Sequence, residues 1–256
     1  MRKSFIGGNW KMNTDSKSAV ELAKGVAEKC GAMLAKVDVC VCPPFVYLPA
    51  VKNALGTSGV GLGAQDVYFE AKGAFTGEVS CGMLKDVGCK YVIIGHSERR
   101  HVIKETDALI NKKLIAAIEA GLLPIFCVGE LLEERNAGKT ESVVTEQIQK
   151  GMSGITADKA KAITIAYEPV WAIGTGVNAT PEQAQDVHFM IRQLIAKMYN
   201  KELADNMIIQ YGGSAKPDNA AVLMSKPDID GLLVGGASLK ADDFAAMIKA
   251  ASEVKK

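Results

Sequence analysis

Eight short apolar runs recur along the chain with amphipathic stretches between them, and this alternation constrains the fold more than any other feature. The runs predict β-strands over residues 5–7, 37–42, 60–63, 91–94, 123–127, 163–166, 207–210 and 232–234. Apolar residues at helical spacing predict helices that include 18–30, 106–120, 141–152, 181–199 and 242–251. Strands that alternate with helices pair in parallel, because each helix serves as the crossover to the next strand.

The number of these units decides between two parallel architectures. Eight strands and their helices within 256 residues predict an α/β fold, a closed (β/α)8 barrel of eight parallel strands with outer helices. No linker or shift in composition interrupts the alternation, so we expect a single domain over residues 1–256. An open doubly wound sheet would often place a glycine fingerprint after its first strand. Here Gly61-Leu62-Gly63 falls at the third strand and lacks the last glycine, so it supports that alternative weakly.

Composition and charge narrow the classes of partner and the compartment. The net charge of +1 gives no reason to expect nucleic acid or an anionic membrane surface as a partner. Asn9 and Lys11 interrupt the apolar run at the start, so we expect no signal peptide, and no segment approaches the ~18 apolar residues of a membrane span. The six cysteines form no C-x-x-C pair. We therefore expect reduced, buried thiols and a cytoplasmic protein.

A carboxylate and a hinged loop follow the sixth predicted strand. Glu168 ends the strand, and Pro169 prevents its continuation. An apolar stretch, 170–173, lies in the following loop and is bounded by Gly174. The stretch 180–183, Thr-Pro-Glu-Gln, predicts a capped helix start. The pattern favours a catalytic carboxylate beside a lid that excludes water, although a surface loop anchored by a tryptophan would share it.

Polar residues also follow the first and fourth predicted strands. Asn9 and Lys11 are two residues apart and share a face if the chain stays extended, and a lysine there suits a phosphate or a developing oxyanion. His96 ends its strand before a helical turn, which favours a neutral imidazole able to donate a hydrogen bond. Glu98 and Arg99 invite an ion pair behind it. A solvated lysine and a structural histidine are the alternative interpretations.

The remaining strand ends supply small residues. Double glycines after the seventh and eighth predicted strands bring backbone N–H groups close to an anion. Ser214, Gly235 and Gly236 lie there and, with Gly174 from the lid, would form a nest for a phosphate dianion. Cys127, after the fifth strand, is placed to pack behind the catalytic carboxylate rather than to act as a nucleophile.

The loop after the third predicted strand, residues 65–78, carries three aromatic side chains. Apolar side chains in a protruding loop need a surface to cover them, so another subunit is one expectation. Packing of the loop on its own barrel is the other.

Five motifs together resemble the triosephosphate isomerase family and follow its order along the whole chain. They are NWK at 9–11, GHSERR at 95–100, AYEPVWAIGTG at 166–176, YGGS at 211–214 and GGASL at 235–239. The resemblance implies interconversion of dihydroxyacetone phosphate and D-glyceraldehyde 3-phosphate, in glycolysis and gluconeogenesis, through an enediolate and without a metal or an organic cofactor.

The resemblance also implies a role for each candidate residue. Glu168 would be the base, neutral His96 the electrophile, and Lys11 with Asn9 would stabilise the enediolate and hold the phosphate. The loop around Thr76 would form a homodimer by entering the neighbouring subunit near Lys11 and His96. One departure from the family pattern is Thr14, which stands where a glycine is common.

Two rival functions remain open at this level. A barrel aldolase would act through a lysine Schiff base and would need a desolvated lysine at a central strand end, where this chain has Glu168. A non-catalytic phosphate-binding barrel would lack part of the set Lys11, His96 and Glu168, and all three are present.

Overall fold

The computed structural model describes residues 2–173 and 179–254. Within these ranges eight parallel strands pair in sequence order, and the first pairs with the last to close the barrel. The strands are β1 (Ser4–Asn9), β2 (Val37–Cys42), β3 (Gly61–Ala64), β4 (Tyr91–Ile94), β5 (Leu123–Val128), β6 (Thr164–Tyr167), β7 (Ile209–Tyr211) and β8 (Gly231–Val234). The predicted closed (β/α)8 barrel is confirmed.

Helices surround the barrel. They are α1 (Ser16–Cys30), α2 (Leu48–Leu55), α3 (Cys81–Asp86), α4 (Ser97–His101), α5 (Asp107–Glu119), α6 (Leu132–Asn136), α7 (Thr140–Gly151), α8 (Ala157–Ala160), α9 (Pro181–Met198), α10 (Lys201–Asn206), α11 (Pro217–Met224) and α12 (Ala241–Glu253). Short 3₁₀ turns occur at Gly31–Met33, Phe45–Tyr47, Val170–Ala172 and Gly236–Leu239. No helix in the described ranges is long and apolar enough to cross a membrane.

Alternation along the strands produces two apolar layers. On β2, for example, Cys40 and Cys42 belong to a cluster of strand residues inside the barrel, whereas Val39 and Val41 pack in the larger cluster between strands and helices. All six cysteines are buried and unpaired, as the sequence predicted. Because both faces of every strand are covered, the runs read as continuously apolar.

Most boundaries agree with the sequence, and one difference has a local cause. The capping box at the start of α9 is present, with Thr180 and Gln183 bonding each other's backbone N–H groups. The seventh strand begins at Ile209, two residues later than predicted. Met207 instead ends α10, where its N–H donates to the Leu203 carbonyl at 2.8 Å. Met207 therefore belongs to the end of the helix, although its apolar side chain alone would assign it to the strand.

A buried ionic network closes the end of the barrel at which the strands begin. We call Arg2, Arg192, Asp228 and Asp230 the basal network. Arg192 donates to the carboxylates of Asp228 (2.6 Å) and Asp230 (2.7 Å). It also donates to the backbone carbonyls of residues 204, 207 and 228. Arg2 bonds the second oxygen of Asp230 at 2.7 Å.

Candidate active site

Glu168 lies directly after β6, at the end of the barrel where the strands terminate, and its residue is 2% exposed. Two glycines make room for it. A Cβ at Gly129 would lie 1.7 Å from the carbonyl oxygen of Glu168, and one at Gly212 would lie 2.8 Å from its Cγ. Both distances are far inside van der Waals contact. The ends of β5 and β7 therefore need glycine to admit this carboxylate.

The carboxylate of Glu168 is fully partnered. One oxygen lies 2.9 Å from His96 Nε2, and the other accepts the Ser97 N–H at 2.8 Å. Burial, together with the nearby Glu168 carboxylate, raises the pKa of the Cys127 thiol well above its usual range. Burial alone would raise the pKa of Glu168, but His96, the Ser97 N–H and Lys11 outweigh burial and hold that pKa below its usual range. The group is thus a carboxylate at neutral pH.

His96 is the N-cap of α4, and its Nδ1 accepts the Glu98 backbone N–H at 3.3 Å. That bond needs a lone pair on Nδ1, so it favours the neutral tautomer that carries its proton on Nε2. Burial lowers the pKa of His96, but the Glu168 carboxylate, with Glu98, more than offsets burial and raises it. The protonation of His96 therefore depends on where Glu168 stands.

Lys11 occupies an uncommon backbone conformation, with φ at +52°. The chain therefore does not stay extended from Asn9 to Lys11, and the condition under which the two residues would share a strand face is not met. Asn9 Oδ1 instead accepts the Lys11 backbone N–H at 3.0 Å, which stabilises a turn. The Lys11 ammonium reaches Glu98 Oε1 at 2.6 Å.

The expected ion pair between Glu98 and Arg99 is also not formed. Glu98 points to Lys11, whereas Arg99 turns away and bonds Asp66 at 2.9 Å and Glu105 at 2.7 Å. Consecutive residues of a helical turn point about 100° apart, which separates them. Glu98 thus touches both Lys11 and His96.

Asn9, Lys11, His96 and Glu168 face one cavity of about 650 Å³, whereas Glu98 does not line it. The cavity wall contains the following predicted site residues: Asn9, Lys11, His96, Glu168, Ser214, Gly235 and Gly236. The predicted contribution of Gly174 lies outside the described residues. Because the wall combines a carboxylate, an imidazole, a lysine and glycine-rich loops, it suits a small phosphorylated ligand with an acidic C–H bond.

Glu130 anchors the described half of the lid, and sequence reasoning assigned it no role. It is fully buried and accepts hydrogen bonds from Trp171 Nε1 (2.9 Å) and from the Tyr167 hydroxyl (3.1 Å). Arg135 lies over the Trp171 ring, 4.7 Å from its centre, and 3.3 Å from Glu130. The sequence signal for Glu130 was its position two residues after β5, beside the strand that leads into the lid. The lid stretch 170–173 is therefore held on the barrel by a buried acid.

The loop 65–78 packs partly on itself. The Tyr68 ring lies 4.5 Å from Phe69 and 4.9 Å from Phe75, measured between ring centres, and Lys112 lies over Phe69. Phe75, at the end of this aromatic group, remains 38% exposed.

Comparison with known proteins agrees with this geometry. The family model described as triosephosphate isomerase matches residues 4–251. A triosephosphate isomerase of Carboxydothermus hydrogenoformans is 57% identical over 251 residues, which cover 97% of this chain and 99% of that protein. One of Rhodopirellula baltica is 55% identical and covers 98% of both chains, and one of Moorella thermoacetica is 52% identical over 97% and 98%. The chain belongs to the triosephosphate isomerase family.

Proposed function

We propose that this chain interconverts dihydroxyacetone phosphate and D-glyceraldehyde 3-phosphate, as an aldose–ketose isomerase of glycolysis and gluconeogenesis. The observation that carries the proposal is the buried, ionised Glu168 facing the same cavity as His96 and Lys11. Proton transfer between two neighbouring carbons needs one base, one group that polarises the carbonyl and one cation for the enediolate charge. Family membership supports the same reaction.

Glu168 is the proposed base. It would remove a proton from the carbon beside the carbonyl and return it to the neighbouring carbon. Its oxygens are bonded to His96 and Ser97, so the carboxylate has to exchange these partners for substrate. Its lowered pKa keeps it ionised until the substrate arrives.

His96 is the proposed electrophile. When Glu168 turns to the substrate, the larger contribution that raises the pKa of His96 is lost, and the smaller contribution of Glu98 is opposed by that of Lys11. Burial and the Glu98 N–H on Nδ1 remain. Both favour a neutral ring whose Nε2–H donates to the substrate oxygens. The proton would then pass between the two oxygens through this ring.

Lys11 and Asn9 are the proposed partners of the developing negative charge. The Lys11 side chain is 26% exposed and pairs with Glu98, whose side chain is 51% exposed, so an anionic ligand can compete for the ammonium. Ser214, Gly235 and Gly236 line the cavity where the phosphate would lie, and backbone N–H groups there, with Gly174, would bind it. The lid would exclude water and so protect the intermediate.

The rival functions fit this geometry less well. A Schiff-base aldolase needs an uncharged lysine in an apolar environment, whereas Lys11 is ion-paired with Glu98 at 2.6 Å. A phosphate-binding barrel without catalysis has no use for the paired His96 and Glu168.

The test is turnover of D-glyceraldehyde 3-phosphate by the purified chain, coupled to reduction of the ketone product. We expect rapid isomerisation without added metal, and the same rate after treatment with EDTA, because no cofactor is proposed. No turnover by a folded protein that still binds 2-phosphoglycolate would favour the phosphate-binding barrel. Trapping of a substrate adduct by borohydride would favour the aldolase.

A homodimer is part of the proposal. Large apolar side chains follow the first four strands and remain exposed: Met12 (94%), Val46 (76%), Phe75 (38%), Met83 (55%) and Val102 (72%). They lie in the segments that follow β1 to β4, with Met83 on α3 and Val46 in a 3₁₀ turn. An apolar surface of this kind is typical of a subunit interface, and the loop around Thr76 would enter the partner.

The dimer is tested by Phe75→Asp in light scattering after gel filtration. We expect this variant to shift the protein from dimer to monomer. Phe189→Asp is the matched control, because Phe189 is 52% exposed on α9, away from the four loops, and should leave the dimer intact. A wild-type monomer would overturn this part of the proposal.

Location and domain organisation follow from the same proposal. We place the protein in the cytoplasm, since its six cysteines are buried free thiols and the proposed reaction belongs to glycolysis. The closed barrel uses strands from residue 4 to residue 234, which supports one domain.

A further inference from the structure

Gln65 stands immediately after β3, where the chain leaves the barrel. Its Nε2 donates to two backbone carbonyl oxygens, that of Lys11 at 2.8 Å and that of Cys42 at 2.9 Å. Carbonyl oxygens are acceptors only, so the amide must present its NH₂ group to them. The Gln65 side chain thus ties the end of β2 to the loop that carries Lys11.

The carbonyl of Lys11 belongs to a strained residue. A side chain with φ at +52° is disfavoured by contact between Cβ and the backbone, and it persists only when neighbouring groups hold it. Two side-chain hydrogen bonds do so. Asn9 Oδ1 accepts the N–H of Lys11, and Gln65 donates to its carbonyl.

We propose that Gln65 is a positioning residue for Lys11. It holds the lysine backbone in the left-handed conformation from which the ammonium faces the cavity. Gln65 is not among the described residues that line this cavity, so it acts through Lys11 rather than on the ligand. The inference rests on the proposed role of Lys11 in binding the anionic substrate.

The position of Gln65 is itself fixed by its neighbour. Asp66 is buried and accepts hydrogen bonds from Lys113 on α5, at 2.8 Å to each oxygen, and pairs with Arg99 on α4 at 2.9 Å. The base of the loop 65–78 is therefore bonded to two helices. Gln65 is held in place even where the tip of the loop has few contacts.

Two variants of similar length test the proposal. Gln65→Met removes both N–H donors, and Gln65→Glu places a carboxylate against two carbonyl oxygens. We expect Gln65→Met to weaken 2-phosphoglycolate binding and to lower kcat/KM by about ten-fold, with a larger loss in Gln65→Glu. Circular dichroism and gel filtration establish that each variant is folded and keeps its assembly before calorimetry. Unchanged affinity in both folded variants would overturn the proposal.

The matched control is Gln185→Met. Gln185 also makes two side-chain hydrogen bonds, donating to the Asp228 carboxylate and accepting the Asp228 backbone N–H, at the opposite end of the barrel. This change should leave ligand affinity and kcat/KM unaltered. An equal loss of affinity in Gln185→Met would mean that removal of any such amide acts through general destabilisation, which contradicts a positioning role.

A double-mutant cycle with Lys11→Met decides whether Gln65 acts through Lys11. If it does, Gln65→Met has no further effect on 2-phosphoglycolate affinity once Lys11 is replaced. Additive losses would overturn the inference and leave the proposed function intact. Wild-type affinity in Lys11→Met alone would instead remove Lys11 from the proposed binding site, and with it the basis of the inference.

Discussion

Buried charges occur at both ends of this barrel, and their surroundings differ. At the end where strands terminate, Lys11, His96, Glu98 and Glu168 form what we call the active-site group. At the other end lies the basal network. The Glu168 oxygens are bonded to one imidazole and one backbone N–H, and Lys11 is paired with Glu98, whose side chain is half exposed. Arg192 is bonded to two carboxylates and three backbone carbonyls.

This difference separates function from stability. Each partner in the active-site group is a side chain or a single N–H that a ligand can replace. In the basal network the partners are backbone atoms and buried acids, so no exchange is possible without unfolding. We therefore expect substitutions in the first group to change the reaction, and substitutions in the second to change the free energy of unfolding.

The largest effect is expected from Glu168→Gln. The amide keeps the shape of the side chain but cannot accept the substrate proton, so kcat should fall by roughly 10²–10⁴-fold. The coupled isomerase assay measures this fall, and thermal unfolding should show that the fold survives. Glu182→Gln, on the surface at the start of α9, is the control and should retain full activity. Near-normal turnover in Glu168→Gln would remove Glu168 as the base.

The second effect is expected from Arg192→Met. Removal of one partner from a buried ionic network leaves uncompensated carboxylates, at a cost of about 3–5 kcal/mol in the free energy of unfolding. Urea denaturation measures the loss, and kcat of the protein that remains folded should stay close to the wild-type value. Arg192→Lys keeps the positive charge but loses the fork of guanidinium donors. Its free energy of unfolding should therefore lie between those of the wild type and Arg192→Met. A large fall in kcat without loss of stability would break the distinction between the two ends.

The third prediction concerns the pKa of His96, measured by NMR titration. In the ligand-free protein Glu168 and Glu98 raise that pKa above its ordinary value of 6.5, against the effect of burial. The resulting contribution to stability is complete below pH 6.5 and is lost as the pH rises through the raised pKa. Glu168→Gln removes the main cause, so the pKa of His96 should fall. An unchanged titration would show that Glu168 does not control this ring.

The sequence was sufficient for the fold because the fold depends on pattern. Apolar runs of strand length recur eight times with amphipathic helical stretches between them, and the number of these runs indicates a closed barrel. The late start of β7 at Ile209 shows the limit of this method, since Met207 is apolar but ends a helix. The boundary between a helix and a strand depends on which of the two a backbone N–H is bonded to, and composition does not report that.

The sequence was sufficient to select candidate residues that line one cavity, but not to predict their contacts. Strand ends indicated Glu168, His96 and Lys11, because chemistry in such barrels lies where the strands terminate. The pairing of Glu98 with Lys11 and the hydrogen bond from Gln65 to the Lys11 carbonyl join residues that follow different strands. These partners are 87 and 54 residues apart in sequence, so no local pattern could reveal them.

The smallest effect is expected from Thr14→Gly. Thr14 is β-branched and has φ at +75°, close to the +52° of Lys11, but it does not line the described cavity. Glycine relieves the contact between Cβ and the backbone, so the free energy of unfolding should rise by about 1 kcal/mol while kcat/KM stays unchanged. Lys11→Gly should relieve similar strain but lose ligand affinity. Thermal unfolding and the isomerase assay together make the comparison, and a destabilised Thr14→Gly would contradict it. The expected results for the two variants would show that the same backbone strain is functional at Lys11 and merely tolerated three residues later.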